Sequence, residues 1–283
     1  MNAFSLTGSL GAGDRFARLV GQIQDAGSPV MFVSPHLDDA VLSCGALLTH
    51  LARTCPVTVL TAFSSASPPA RRGLAARKTL RDLQVADPEV LFAERRAEDI
   101  AVLKEAGASW IHLGLTDALF RRVGETGTGR KCGGRAAYPT FRFDAARGRI
   151  AGSDAGLAGE VGVLVREAVA ANGTAVLFGP LGVGRHVDHL ITRDGVASSG
   201  VVAVYYSDFP YSVSKMPDRR FIRRASLQPY EWLSGRAEVA NLMAGYRTQF
   251  TRLFPRGVPM SPETYWIRVR NGARSAASLP RRK

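Results

Sequence analysis

The chain holds only three cysteines, Cys44, Cys55 and Cys132, with no paired spacing among them. That pattern excludes a disulfide scaffold and a cysteine zinc site. Cys44 lies in an apolar helical pattern and is expected to be a buried helix residue. No uncharged apolar run reaches the length of about twenty residues that a membrane span needs, and the amino-terminal stretch lacks a long apolar core, so neither membrane insertion nor secretion is expected. A cytoplasmic protein is the default. Aromatic–basic interleaving of the RNA-binding kind is missing, and so is a helix-turn-helix pattern. There is no internal repeat and no clear linker. One α/β domain over residues 1–269, followed by a basic and disordered tail at 270–283, is therefore the economical organisation for a chain of 283 residues.

Arginine, by contrast, is plentiful, and the formal net charge is +13. A basic surface binds phosphate without a special fold. Part of the excess, however, sits in the tail as Arg270, Arg274, Arg281, Arg282 and Lys283. The charge is read first as solvated surface and second as a hint of a substrate bearing phosphate or carboxylate, with no nucleic-acid partner expected.

Short continuous apolar runs alternate with segments of helical spacing. Val30 to Val33, Pro56 to Phe63, Trp110 to Leu115, Thr174 to Pro180 and Val201 to Ser207 read as buried strands, and Thr264 to Val269 as a closing strand. Between them, helical patterns cover Ala40 to Leu51, Pro88 to Ala106 and Leu157 to Ala171. An amphipathic helix with Phe16, Leu19, Val20 and Ile23 on one face precedes the first strand, and a long helix is expected over Glu231 to Leu253. Ser64 to Gly73 reads as a loop, and Arg121 to Thr140, which lacks periodicity, as a mobile loop over a cleft. His112 alternates within an apolar run and is expected to be a core or edge histidine. The fold class that follows is α/β, a Rossmann-like and mostly parallel sheet with helices on both faces.

Two strand ends carry ionisable residues. His36-Leu37-Asp38-Asp39 follows the first strand, and His186-Val187-Asp188-His189 follows the run at 174–180. Carboxylates at a helix start are often mere caps. Two such clusters, each where a buried strand empties at the carboxyl edge of a sheet, point instead to a site. His36, Asp39 and His189 offer two imidazoles and a carboxylate, the donor set of catalytic Zn²⁺ with a position open to water. Asp38 is then free to act as a base, and His186 to stabilise an oxyanion or protonate a leaving amine. Asp117, at the end of another strand, stands within reach of the same edge. A 2-His-1-carboxylate iron oxygenase uses similar donors but favours a β-barrel or jelly roll. A non-catalytic module for phosphate or nucleic acid leaves the His/Asp constellation without a purpose.

The segment from His36 to Gly45 resembles the first signature of the PIG-L/LmbE-like N-deacetylases, and His186 to His189 resembles their second. Arg95-Arg96-Ala97-Glu98-Asp99 and Leu113-Gly114-Leu115-Thr116-Asp117 are similar to further motifs of that family. The resemblance implies a Rossmann-like, zinc-dependent enzyme that removes an acetyl group from an amino sugar, such as an N-acetylglucosaminyl unit of a larger conjugate in secondary metabolism, for instance antibiotic biosynthesis. It implies His36, Asp39 and His189 as metal ligands and Asp38 as general base. His186 becomes the electrostatic or acid partner, and Asp188 a residue that orients a histidine. Arg95 or Arg96 and Asp117 match sugar-binding positions. The metal is expected to be Zn²⁺, with Fe²⁺ as the alternative, and the partner a small glycoside or sugar conjugate. A larger thiol or peptide amide is the competing substrate. Three positions depart from the family pattern: Leu37 stands where proline is usual, Ala40 where glutamate is common, and Gly184 where some members carry an aromatic residue. An aromatic gate at that last position is not carried over to this chain.

Overall fold

Val30–Ser34 (β1) is apolar on both sides because both of its faces are covered. Val30 and Phe32 enter one core, Met31 and Val33 enter another, and none is more than 1% exposed. In this computed structural model, which describes residues 12–66, 73–124 and 134–269, β1 is the middle one of five parallel strands in a seven-stranded sheet. It pairs in parallel with Val57–Ser65 (β2) on one side and Val176–Pro180 (β4) on the other. Ser109–Thr116 (β3) continues in parallel beyond β2, and Ala203–Tyr206 (β5) beyond β4. Glu263–Arg268 (β7) and Leu227–Trp232 (β6) then add an antiparallel edge, for an order of β3-β2-β1-β4-β5-β7-β6.

Helices Ala12–Asp25 (α1), Asp39–Ala52 (α2) and Pro88–Glu105 (α4) cover one face through Phe16, Ile23, Leu47, Leu48 and Leu103. Leu157–Ala171 (α5) and Val187–Ser198 (α6) cover the other through Val161, Val165, Ile191 and Val196. A jelly roll is thereby excluded, and the mostly parallel α/β expectation holds. Strand order reverses between β1 and β4. Open α/β sheets have their crevice at such a switch point, outside the carboxyl ends of the strands.

Several expectations need correction. Glu231 to Leu253 is not one helix: Glu231 and Trp232 end β6, and the rest divides into Arg236–Ala244 (α8) and Arg247–Leu253 (α9). The break has a cause in α4. The buried Tyr246 hydroxyl donates to Asp99 at 2.8 Å, and Glu98 accepts from the backbone N–H and hydroxyl of Thr248, capping α9. Leu74–Asp82 (α3), Arg219–Ala225 (α7) and β6 were not expected at all. β6 tolerates Pro229 because it lies at the sheet edge.

The segment 121–140 is not a mobile loop at its ends. Arg121, Arg122 and Tyr138 are buried, and Arg122 bridges to Ala136 in antiparallel fashion. Its middle, with Cys132, lies outside the described residues, as does the tail at 270–283. Nine of the 37 basic residues and one of the 24 acidic ones fall outside the described segments, so most of the net charge lies beyond them. Cys44 is a buried residue of α2, and His112 pairs with Asp99 at 2.8 Å, away from the switch point. No helix among the described residues is long and apolar enough to cross a membrane.

Candidate metal centre

The loops leaving β1 and β4 meet at the switch point and bring three imidazoles together. Ring centroids lie 5.1 Å apart for His36 and His186, 5.2 Å for His36 and His189, and 5.5 Å for His186 and His189. The first loop is closed by its own polar groups. Ser34 Oγ donates to the His36 carbonyl at 2.6 Å and accepts from the Ala40 N–H at 3.0 Å, and Asp39 Oδ2 accepts from the His36 N–H at 2.9 Å. Leu37, in place of the usual proline, is buried in an apolar cluster with Phe92 and Phe120. Packing thus holds Leu37, and Pro35, two residues earlier, supplies the one proline ring of the loop.

Three donor atoms converge at Asp39. His36 Nδ1 is 3.0 Å from Asp39 Oδ2, and His189 Nε2 is 3.3 Å from the same oxygen. Ligand atoms about 2.0–2.1 Å from a tetrahedral ion stand roughly 3.3 Å apart, so each of these two spacings fits a pair of ligands to a Zn²⁺-sized ion. The remaining nitrogens are held from behind. His36 Nε2 meets Asp188 Oδ2 at 3.1 Å, and His189 Nδ1 meets Asp208 Oδ1 at 2.7 Å. A carboxylate on the far nitrogen of each histidine is the usual support of a metal-binding imidazole. Donor atoms of His36, His186 and His189 also lie within 4.8 Å of one another, as do those of His36, Asp117 and Asp188. The second grouping is the poorer site. Asp188 is already engaged by Arg121, by the Ala118 N–H at 2.8 Å and by His36, and Asp117 accepts from the Leu119 N–H at 2.8 Å.

Electrostatics follow from burial and these pairings. Burial lowers His36, but Asp188 and Asp39 outweigh it and hold the imidazole well above its ordinary value. Burial likewise lowers His189, and Asp39 and Asp208 raise it. Asp39 feels burial upward but is held well below the carboxylate range by His189 and His36. Burial drives His186 down to about 3, which keeps its ring neutral. Its Nδ1 accepts from the Asp188 N–H at 3.3 Å, so the ring proton belongs on Nε2. His186 also caps α6.

Asp38 is no helix cap in the ordinary sense, since its side chain makes no capping hydrogen bond. Its carboxylate stands 3.7 Å from Arg95 Nη2, with both side chains largely buried. Burial first, and then the Asp39 charge, pushes Asp38 up to about 6 against the pull of Arg95. That value suits a proton acceptor near neutral pH. Arg96 points elsewhere, donating to the Ser64 carbonyl at 3.0 Å and pairing with Glu89. Asp117 lies at the site, 3.7 Å from His36 Nε2, and burial raises its carboxyl.

Three further features escaped sequence reasoning. Asp208, at the end of β5, supports His189. Arg121 is buried, with Nε on Asp154 at 2.9 Å and Nη2 on Asp188, so a charged chain runs from Tyr138 and Asp154 through Arg121 to Asp188 and His36. Tyr211 stands perpendicular to His189 with centroids 5.6 Å apart, and its ring fills the space over Gly184. A Cβ on Gly184 would lie 2.5 Å from Tyr211 Cγ, so this chain carries its aromatic residue on another loop.

Comparison with known proteins bears on the same residues. A curated protein of Streptomyces fradiae, 2'-N-acetylparomamine deacetylase, is 29% identical over 187 residues, which are 64% of this chain and 57% of that protein. The match thus spans little more than half of that relative's length. The zinc-inhibited form of the teicoplanin deacetylase Orf2 superposes with a TM-score of 0.71 at 23% identity, over 87% of this chain and 100% of that one. A deacetylase–teicoplanin complex gives 0.67 at 25% identity over 87% and 100%. The A40926 pseudoaglycone deacetylase Dbv21 gives 0.63 at 23% identity over 86% and 98%. Residues 31–199, more than half of the chain and inclusive of both His/Asp clusters, match the family described as PIG-L: GlcNAc-PI de-N-acetylase, and the chain belongs to that PIG-L family.

Proposed function

We propose that this chain is a metal-dependent hydrolase that removes the N-acetyl group from an amino sugar, of the N-acetylglucosaminyl type, within a larger conjugate. The observation that carries the reading is the convergence of His36 Nδ1, Asp39 Oδ2 and His189 Nε2, each imidazole backed by a buried carboxylate. Those three residues would hold the ion, with Zn²⁺ favoured by the donor set and Fe²⁺ as its competitor. When bound, such an ion polarises the acetyl carbonyl and brings the pKa of water toward neutrality.

The protein's own groups supply the remainder. Asp38 takes a proton from the water that attacks the acetyl carbonyl carbon, and Arg95 holds the carboxylate ionised and in place. His186 presents Nε2–H to the oxygen that gains charge. The C–N bond breaks, the nitrogen gains a proton, and acetate and the free amine leave. Asp117 and Arg95 would bind sugar hydroxyls. Asp188 and Asp208 set the two histidines rather than touch the substrate. The named activities of the paromamine and teicoplanin deacetylases support a glycosylated antibiotic or its intermediate as the conjugate.

The test is elemental analysis of purified wild type and His189→Ala, together with acetate release from a panel of N-acetylglucosaminyl compounds. The expected result is near-stoichiometric metal that the variant loses, with acetate formed by wild type alone. Bound metal with no acetate from any compound would redirect the reading to other amides. No metal binding after reconstitution would overturn it.

A further inference from the structure

Resting on that deacetylase reading, we propose that the site accepts its amino sugar attached to an apolar aglycone, with Phe141 and Tyr211 as the two walls that the aglycone meets. The ring of Phe141 lies 5.6 Å from that of His186 at 35°, and it remains 44% exposed. Tyr211 stands against His189 on the other side, partly exposed. The row Phe141, His186, His189, Tyr211 is therefore a chain of ring contacts that passes through two buried histidines of the site and reaches solvent at its two ends.

Both ends of the chain of rings are built rather than frayed. Thr140 donates through its N–H and hydroxyl to Asp144 at 2.7 and 2.6 Å, the Ala146 N–H bonds to the Phe141 carbonyl at 2.9 Å, and Ala145 is buried beside Val187 at the start of α6. On the far side, the N–H groups of Ser214 and Lys215 return to the Tyr211 carbonyl at 3.1 and 2.9 Å, and the Tyr211 ring locks over Gly184. Each of these held turns then projects further large apolar side chains into solvent: Phe143 is 63% exposed, Val213 52% and Met216 73%. Ordered turns that hold apolar groups at the mouth of a site leave uncompensated apolar surface, and burial by a ligand recovers it.

Charge narrows the class further. Arg142 lies between the two phenylalanines and Lys215 precedes Met216, so the exposed rim is apolar and cationic. A polycationic aminocyclitol meets like charge there, whereas a neutral or anionic aromatic group meets flat apolar walls. The rim thus sets this chain apart from the substrate in the name of its paromamine relative.

The experiment compares kcat/KM of the zinc-loaded full chain for 2-naphthyl N-acetyl-β-glucosaminide, free N-acetylglucosamine and 2'-N-acetylparomamine, in wild type, Phe141→Ala and Phe143→Ser. The ratio of two substrates within one preparation cancels the fraction of folded enzyme. Wild type is expected to prefer the naphthyl glycoside over the free sugar by about tenfold or more, from burial of an aryl group, and Phe141→Ala to bring the ratio toward one, with Phe143→Ser between. Equal turnover of glycoside and free sugar, or preference for the paromamine compound, overturns the inference and leaves the deacetylase reading standing. Absence of acetate from all three, with zinc loaded and again with Fe²⁺ loaded, redirects the reading from amino sugars to other amides and overturns the inference with it.

Discussion

Asp208 shows what a single residue contributes beyond the motif. One of its oxygens holds His189 Nδ1 at 2.7 Å and the other accepts from the Val183 N–H at 2.7 Å, so it ties the second ligand loop to the end of β5. Carboxylates in this position orient the ring and raise its basicity, and their loss typically costs about 10–100-fold in metal affinity. Asp208→Asn is expected to weaken metal binding by that order in a chelator competition, while the reloaded enzyme keeps much of its kcat. Asp38→Asn is expected to do the opposite, retaining metal and losing about 10²–10⁴ in kcat as a general base is removed. Arg95 separates the charge of Asp38 from its placement. Activity requires unprotonated Asp38, so the rate falls as pH drops through its pKa; Arg95 lowers that pKa. Arg95→Gln should therefore move the acid limb of kcat/KM to higher pH, and an unmoved limb would mean that Asp38 is not the titrating base. His36, Asp38, Asp39, His186 and His189 were legible in the sequence because chain spacing places them on two strand ends. Asp208 and Arg121 were not, because they arrive from other segments and carry no local pattern. The one available signal was position: Asp208 follows a buried strand at the same carboxyl edge.

At the scale of elements, patterns that depend on periodicity were readable and those that depend on neighbours were not. The five parallel strands and α1, α2, α4 and α5 follow from apolar runs and spacing. The division of the expected long helix into α8 and α9 depends on Glu98 and Asp99 of α4, which no window over 231–253 contains. α7, at seven residues, is too short to show a period although its arginines favour helix, and β6 carries Pro229, against strand propensity, so the burial of Phe221 and the edge position decided for them. The same contest between local preference and packing governs Gly45 in α2. Alanine there should gain about 1 kcal/mol from helix propensity. A Cβ at that point, however, would lie 2.7 Å from Cγ1 of the fully buried Val239 on α8, a stiff β-branched side chain. Overpacking costs about 1–3 kcal/mol, so Gly45→Ala is expected to be net destabilised by up to about 2 kcal/mol in urea unfolding. A rise in stability would show that α8 yields freely against α2.

For the molecule as a whole, the proposed metal site would link folding to both protons and metal, with opposite signs. In the metal-stripped protein His36 and His189 titrate above their unfolded values, because buried carboxylates surround them. Such groups stabilise the fold fully below the unfolded histidine pKa of about 6.5, and that contribution is lost as pH rises through the raised folded values. A bound divalent ion requires those same nitrogens unprotonated. Its contribution, which grows with the ratio of metal concentration to Kd, is therefore weakest where the histidines hold protons and strengthens as pH rises. Asp39 and Asp188 do not disturb this window, since both are held low and lose their stabilising charge only in acid. Thermal melts between about pH 6 and pH 9 should accordingly show Tm falling with pH in chelator, and the increment added by Zn²⁺ growing over the same range. Calorimetric titration near neutral pH in two buffers of different ionisation enthalpy should find up to about two protons released per ion bound, one for each imidazole that enters the donor set. A metal increment that is flat in pH, with no proton released, would place the ion away from His36 and His189, and the two carboxylates behind them would then serve the fold alone.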